Sequence, residues 1–230
     1  WYSDYPRSNF KSTDDSGEWL QMDKMGHAFA SYQIGRLGAN ALNWAGVSEK
    51  DQLLYGSTLG LGFLTAVEVM DGFSEEWGFS WTDMAANIGG TGLYLGQELL
   101  WQEQRILLKY SFHRTDFAIQ RPDVLGSGFS EEFLKDYNGQ TYWLSANINS
   151  FFKTKSVPNW LNLAFGYGAD GMLTGESNDP RFLNQDRTRQ YYLSLDIDLT
   201  RIRTNSHVLK TIFDVFNVIK IPFPTLEVND

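Results

Sequence analysis

The spacing of apolar residues changes once along this chain, from a helical period before residue 104 to a period of two after it. Between residues 22 and 45, apolar and small side chains recur three or four positions apart, which predicts a helix. Between residues 189 and 200 apolar and polar side chains alternate, which predicts a strand. Because helices come first and strands follow, the pattern predicts an α+β fold rather than alternating parallel units.

Two further helices are expected in the first part of the chain. The second helix is expected to begin at Ser48, which is followed by the acidic residues Glu49 and Asp51. It continues through an almost uncharged run at residues 53–70. The third helix is expected from Ser80 to Trp101. We expect its ladder of small residues, Gly89, Gly92 and Gly96, to mark a close approach to a neighbouring helix.

The second run approaches the length needed to cross a hydrocarbon core of about 30 Å. Lys24 and Arg36 on the first helix, and Asn87 and Glu98 on the third, are too polar for helices that face lipid all round. The sequence therefore favours a three-helix bundle buried in protein over a conventional set of membrane spans.

Alternating stretches in the second part predict five or six strands, and a single-chain outer-membrane barrel needs at least eight. The sequence therefore predicts an antiparallel β-sheet that curves toward a half or small barrel, with the N-terminal three-helix bundle packed on it. On the cleanest strand, Ser194, Asp196 and Asp198 would face water or a polar interior, and the alternating apolar row would face lipid or the bundle. That row is Leu193, Leu195, Ile197 and Leu199. The other strands are expected at residues 106–112, 141–152, 161–168 and 221–228, with a short helix at 207–218.

This organisation gives an N-terminal arm (1–21), a helical region (22–104) and an antiparallel β region (105–230). We expect one compact unit, because the apolar face of the sheet needs a cover. The 230 residues include no Cys, which excludes disulfide-rich and cysteine-ligated zinc scaffolds. The net charge of −9 argues against nucleic acid as a partner.

Five polar residues form the candidate site: Asp23, His27, Glu68, Asp71 and Asp83. The first two lie four positions apart on one helix face, the next two lie three apart near the end of the second helix, and the last opens the third helix. Antiparallel packing would bring all five to one end of the bundle. The group would then lock the bundle, with Asp23 and Asp83 as helix caps, or bind a divalent cation, or act as a general acid and base. The identity of any metal stays open.

Three strings carry a family resemblance: DKMGH (23–27), EVMDGF (68–73) and FSWTDMAANIGG (79–90). They resemble the YfiM-like family of predicted periplasmic lipoproteins and, more distantly, VanZ-like membrane proteins, over residues 18–104. The continuation through YSFH (110–113) and KDYNGQTYWLS (135–145) is similar to a long form from Bacteroidota-type bacteria, a domain of unknown function. The family's lipoproteins carry an acylated N-terminal Cys, and this chain contains none, so we expect either that the Cys was trimmed from a position upstream of Trp1 or that this member is not lipidated.

The resemblance implies a Gram-negative cell envelope location, in the outer membrane or periplasm. We expect a non-enzymatic, outer-membrane-associated protein that is a structural or accessory subunit of an outer-membrane assembly, and so a hetero-oligomer. The alternative is a membrane-lipid or envelope-glycan modifying enzyme that uses the polar cluster. No phosphate-binding loop, nucleophile elbow or dinucleotide fingerprint occurs, and no cofactor is expected.

Overall fold

A computed structural model describes residues 6–154, 156–183 and 185–230. The chain divides into two compact units, one ending at Gln104 and the other beginning at Arg105. Long helices belong to the first unit and an antiparallel sheet to the second, so the mixed α+β character is confirmed. The packing of bundle on sheet as one compact unit stays a prediction.

Three long helices dominate the N-terminal unit, and each lies within a few residues of its predicted position. They are α1 (Met22–Trp44), α3 (Leu59–Gly72) and α4 (Trp81–Trp101). Between the first two, the short α2 (Glu49–Asp51) continues into a π-helical turn at Gln52–Gly56. A 3₁₀ turn at Glu18–Gln21 precedes α1, and the strands β1 (Ser12–Thr13) and β2 (Phe79–Ser80) pair in parallel.

The ends of these helices follow local sequence signals. The Ser48 and Ser80 side chains cap α2 and α4, each by accepting the backbone N–H three residues ahead. Gly46, at a φ of 76°, lies just beyond α1 in the left-handed region, where a glycine has no steric penalty.

Close helix approaches in this unit use different glycines from those predicted. A Cβ placed on Gly90 would meet the Ala28 carbonyl of α1, and one on Gly60 would meet the Ser31 carbonyl. A Cβ on Gly89, Gly92 or Gly96 would meet nothing within 4 Å. The prediction for those three residues is therefore wrong. The face of α4 that meets α1 is the one that carries Asp83, Asn87 and Gly90.

A five-stranded antiparallel sheet forms the centre of the C-terminal unit, with strands in sequence order. The strands are β3 (Ile106–Phe112), β4 (Gln140–Asn147), β5 (Leu161–Asp170), β6 (Thr188–Ile197) and β7 (Thr225–Asn229). A single bridge to Ile219 lies on the outer side of β3, at Tyr110. In the described part of the chain β3 and β7 do not pair, so this sheet does not close into a barrel.

Short helices connect the strands, and one of them replaces a stretch that was predicted as strand. They are α5 (Phe117–Gln120), α6 (Pro122–Leu125), α7 (Phe129–Lys135), α8 (Ile148–Phe152) and α9 (His207–Phe216). The strand expected to reach residue 152 ends at Asn147, because its side chain caps α8. The strand expected to reach residue 200 ends at Ile197, where Asp198 caps a 3₁₀ turn that contains Leu199.

The sheet buries its polar face and exposes its apolar face, which is the inverse of the usual arrangement in a water-soluble sheet. Lys109, Ser145, Asn162 and Asp196 share one face, and all four are fully buried. Apolar side chains of the other face are exposed at several positions, by 55% at Phe165, 39% at Leu195 and 70% at Leu226, for example. Ser194 and Asp196 therefore face a polar interior, one of the two predicted alternatives.

Candidate polar site of the helical unit

Four of the five predicted site residues come together at one end of the helical unit. Asp23 and His27 lie in the first turns of α1, Glu68 in the last turn and a half of α3, and Asp83 in the first turn of α4. His27 Nε2 lies 3.6 Å from Glu68 Oε1 and 3.8 Å from Asp83 Oδ2. The expected proximity of His27 to these acids is therefore confirmed. The role of the cluster stays a prediction.

Asp71 contributes negative charge near Glu68 but is not one of the carboxylates grouped around His27. It lies three residues further along α3, toward the helix end, where its backbone carbonyl accepts the N–H of Ser74. The predicted sharing of one helix face does not bring Asp71 to the imidazole.

Lys24 is the centre of an ion-pair cluster that the sequence analysis did not assign to the site. Its ammonium lies 2.6 Å from Asp15 Oδ2, 2.9 Å from Asp23 Oδ2 and 2.9 Å from Asp83 Oδ1. Burial lowers the pKa of Lys24, but the charge of Asp23 and the hydrogen bonds to Asp15 and Asp83 outweigh it, so this pKa is raised. Lys24 therefore stays charged and neutralises part of the acidic group.

Asp15 brings the N-terminal arm into this cluster. Its Oδ1 accepts hydrogen bonds from Ser80 Oγ at 2.7 Å and Thr82 Oγ1 at 2.9 Å. Burial acts to raise the pKa of Asp15, but the hydrogen bonds from Lys24, Ser80 and Thr82 lower it to about 2. The pKa values of Asp23 and Asp83 are instead raised, chiefly by burial.

Asn87 orients the imidazole from the second turn of α4. Its Oδ1 lies 3.1 Å from His27 Nδ1, and its side chain is completely buried. Its Nδ2 has no hydrogen-bond partner among the described residues, and neither has Thr91 Oγ1 one turn further along. A hydrogen bond from Nδ1–H to Asn87 leaves the Nε2 lone pair directed at the acids.

The predicted capping roles of Asp23 and Asp83 are wrong. Ser80 caps α4 by accepting the N–H of Asp83 at 3.0 Å, so Asp83 is three residues inside the cap and its carboxylate is free to pair with Lys24. Asp23 accepts the N–H of Lys24, its immediate neighbour, and pairs with the Lys24 ammonium. Glu68 Oε2 accepts the N–H of Ser80 at 3.1 Å, which ties the end of α3 to the start of α4.

Sequence reasoning missed Asp15, Lys24 and Asn87, although two of them lie in the strings that carry the resemblance. Lys24 follows Asp23, and Asn87 lies one helical turn after Asp83. The i, i+4 spacing of Asp83 and Asn87 was a usable signal. No spacing rule links Asp15 to residues 80–82, because that contact depends on where the arm runs.

The helical unit matches a known family model. Residues 11–96, less than half of the chain, match the family described as "Predicted periplasmic lipoprotein (DUF2279)". This part of the chain is thus similar to a lipoprotein family of unknown function, which supports the coarser part of the predicted resemblance. The predicted location in the Gram-negative cell envelope, outer membrane or periplasm, is confirmed by the description of that family. No curated protein and no solved structure matches the chain.

Proposed function

We propose that this chain is a non-enzymatic, outer-membrane-associated protein that serves as an accessory or structural subunit of an outer-membrane assembly. Its relatives would be the YfiM-like lipoproteins and, more distantly, VanZ-like proteins. The observation that carries the proposal is the inverted sheet, with Lys109 and Asp196 fully buried and Phe165, Leu195 and Leu226 exposed. An exposed apolar sheet face is costly in water and favourable in hydrocarbon.

The helical unit supports the same environment. Among the described residues one helical segment, Glu49–Gly72, is long and apolar enough to cross a membrane, and only 28% of its most apolar window is buried. Leu54, Leu59 and Phe63 are all more than half exposed. A core helix of a water-soluble bundle would bury such side chains. The expectation of a three-helix bundle buried in protein does not fit these exposures.

The outer edge of β7 supports a protein partner. No described strand pairs with this edge, and all five residues of β7 are exposed. Unpaired backbone groups in hydrocarbon cost several kcal/mol each, so lipid-exposed sheet edges do not occur there. In a membrane the edge would be covered by a strand of another envelope protein, which gives the chain its role as a subunit.

The directions of the backbone N–H groups in β7 suggest an experiment that tests for this partner. Arg189 and Asp230 exchange both backbone hydrogen bonds. In an antiparallel ladder such pairs alternate, so the N–H of Val228 points to β6 and that of Glu227 points outward. Glu227→Pro should therefore abolish co-purification of the assembly in mild detergent without unfolding the chain.

Glu227→Ala is the matched control, because it removes the same side chain but keeps the N–H, and it should retain the assembly. Val228→Pro should disturb the β6 pairing itself. An unchanged assembly in Glu227→Pro, or an isolated monomer in the wild type, would contradict the subunit proposal.

Contact with lipid is tested on the same strand. The chain has no Cys, so single spin labels at Leu226→Cys and Glu227→Cys report the two faces of β7 separately. In outer-membrane vesicles we expect the label at 226 to be accessible to oxygen and shielded from a water-soluble nickel complex, and the label at 227 to show the reverse. Equal access of the nickel complex to both labels would contradict lipid contact.

One observation favours an enzyme as the second candidate. His27 lies between Glu68 and Asp83 in a buried site, an arrangement suited to proton transfer on a membrane-lipid or envelope-glycan substrate. The lipid and glycan composition of cells with wild-type protein would then differ from that of cells with Asp83→Asn. Identical compositions would leave only the accessory role.

A further inference from the structure

We propose that His27, Glu68 and Asp83 bind one divalent transition-metal ion, with Zn²⁺ as the preferred ion. The donor atoms would be His27 Nε2, Glu68 Oε1 and Asp83 Oδ2. This site goes beyond the accessory role proposed above and does not depend on it.

The spacing of the donor atoms fits one ion between them. All three lie within 4.8 Å of one another, and His27 Nε2 lies 3.6 Å and 3.8 Å from the two carboxylate oxygens. These gaps exceed the length of an ordinary hydrogen bond. Two donors on one tetrahedral zinc ion, each at about 2.0–2.1 Å, are separated by about 3.4 Å. Small side-chain shifts would bring the three atoms onto an ion.

Each of the three donors is also held by a second contact, as metal ligands usually are. Asn87 Oδ1 lies at His27 Nδ1, which leaves Nε2 for the ion. The N–H of Ser80 binds Glu68 Oε2, so that Oε1 points toward the imidazole. Lys24 binds Asp83 Oδ1, so that Oδ2 is left for the ion.

Asn87 provides the independent indication of a ligand. Its carboxamide is fully buried against His27, yet its Nδ2 has no partner among the described residues. A buried amide donor is nearly always satisfied. A water molecule or another ligand beside the imidazole would accept this hydrogen bond.

A second acidic group in the cluster does not provide another metal site. Asp15, Asp23 and Asp83 also lie close together, but the Lys24 ammonium already binds all three. Only the side of the cluster that faces His27 keeps carboxylate oxygens for an ion. One imidazole with two carboxylates suits Zn²⁺ or Mn²⁺, and the general order of affinities favours Zn²⁺.

The experiment uses the full chain in detergent, freed of metal with a chelator and titrated with Zn²⁺ alone. The exposed His113 and His207 are replaced by Gln, so that His27 is the only imidazole. We expect one Zn²⁺ per chain by calorimetry, and a shift of the Nε2 rather than the Nδ1 resonance in a ¹⁵N-histidine NMR spectrum. Binding without a shift of Nε2, or no binding, would overturn the proposal.

Variants test the carboxylate ligands. Glu68→Gln should weaken Zn²⁺ binding about tenfold or more, whereas the matched control Asp71→Asn, three residues along the same helix, should change it less than twofold. Equal affinities of these two variants would overturn the assignment of Glu68. If Glu68→Gln does not fold, Co²⁺ bound to the wild-type chain decides. An intense visible spectrum of four-coordinate Co²⁺ supports the site, and the weak spectrum of six-coordinate Co²⁺ overturns it.

Discussion

The buried polar cluster around Asp196 in the sheet and the one around Lys24 and His27 in the helical unit are satisfied differently. In the sheet, Lys109 Nζ binds Asp196 Oδ2 at 2.8 Å and the Ile197 carbonyl at 2.7 Å, and Ser145 Oγ donates to the same aspartate. In the helical unit, Lys24 is paired with three acids, but Asn87 Nδ2 has no described partner. A fully satisfied buried network rigidifies one fold, whereas an unpaired polar group in a buried network is costly.

The largest expected effect is in the sheet network. Lys109→Met leaves Asp196 charged and buried without its partner, which should lower the free energy of unfolding by about 3–5 kcal/mol. Chemical denaturation in detergent measures this loss. The double variant Lys109→Met with Asp196→Leu replaces both charges by apolar groups and should recover most of the stability. If the single variant loses less than about 1 kcal/mol, the network does not stabilise the sheet.

In the helical cluster, Asp15→Asn should have a smaller effect that depends on pH. Because the folded pKa of Asp15 is about 2, below its ordinary value, its carboxylate stabilises the fold above the ordinary pKa, and this stabilisation is lost as the pH falls through about 2. At pH 7 the free energy of unfolding of the variant should be lower than that of the wild type by about 1–2 kcal/mol, because solvent screens part of the interaction. The difference from wild type should shrink below pH 4. A constant difference between pH 7 and pH 2 would place the effect of Asp15 elsewhere.

Glycines on the two sides of α4 test where that helix meets α1. Gly92→Ala should raise the free energy of unfolding by about 0.5–1 kcal/mol, because Gly92 is exposed and alanine favours the helix. Gly90→Ala should lower it by about 1–3 kcal/mol, because the new Cβ meets the Ala28 carbonyl. Thermal unfolding of the pair gives the comparison. Equal melting temperatures would show that α1 and α4 are further apart than described.

The helices and strands that follow a regular spacing of apolar residues could be predicted from the sequence. Apolar periods located α1, α3, α4 and the five strands of the sheet, and antiparallel packing correctly predicted that His27 lies near Glu68 and Asp83. A glycine ladder does not show which side of its helix meets a neighbour, so Gly89, Gly92 and Gly96 were misassigned. A period of two likewise predicts two faces of a sheet without saying which face is buried.

Contacts between distant parts of the chain could not be predicted from the spacing of residues. The Asp15 carboxylate reaches Ser80 and Thr82, because the arm runs beside the loop between α3 and α4, where the backbone N–H of Lys11 binds the Gly72 carbonyl. No periodicity encodes that path. The same is true of the bridge between Tyr110 and Ile219, which covers part of the outer edge of β3.

The smallest expected change in the free energy of unfolding is that of His27→Gln. This variant also distinguishes the polar cluster of the helical unit from that of the sheet most directly. His27→Gln keeps a hydrogen-bonding group beside Asn87 and adds no buried charge, so the free energy of unfolding should change by less than about 1 kcal/mol. Denaturation without added metal measures this, with Lys109→Met as the contrasting variant. If His27 belonged to a fully satisfied network like that of Asp196, its replacement would lower the free energy of unfolding as much as the replacement of Lys109 does. A loss of 3 kcal/mol or more would therefore show that the helical cluster is a structural lock. A loss near zero, together with lost Zn²⁺ binding, would show that the sheet stabilises the protein and that the helical cluster binds a ligand.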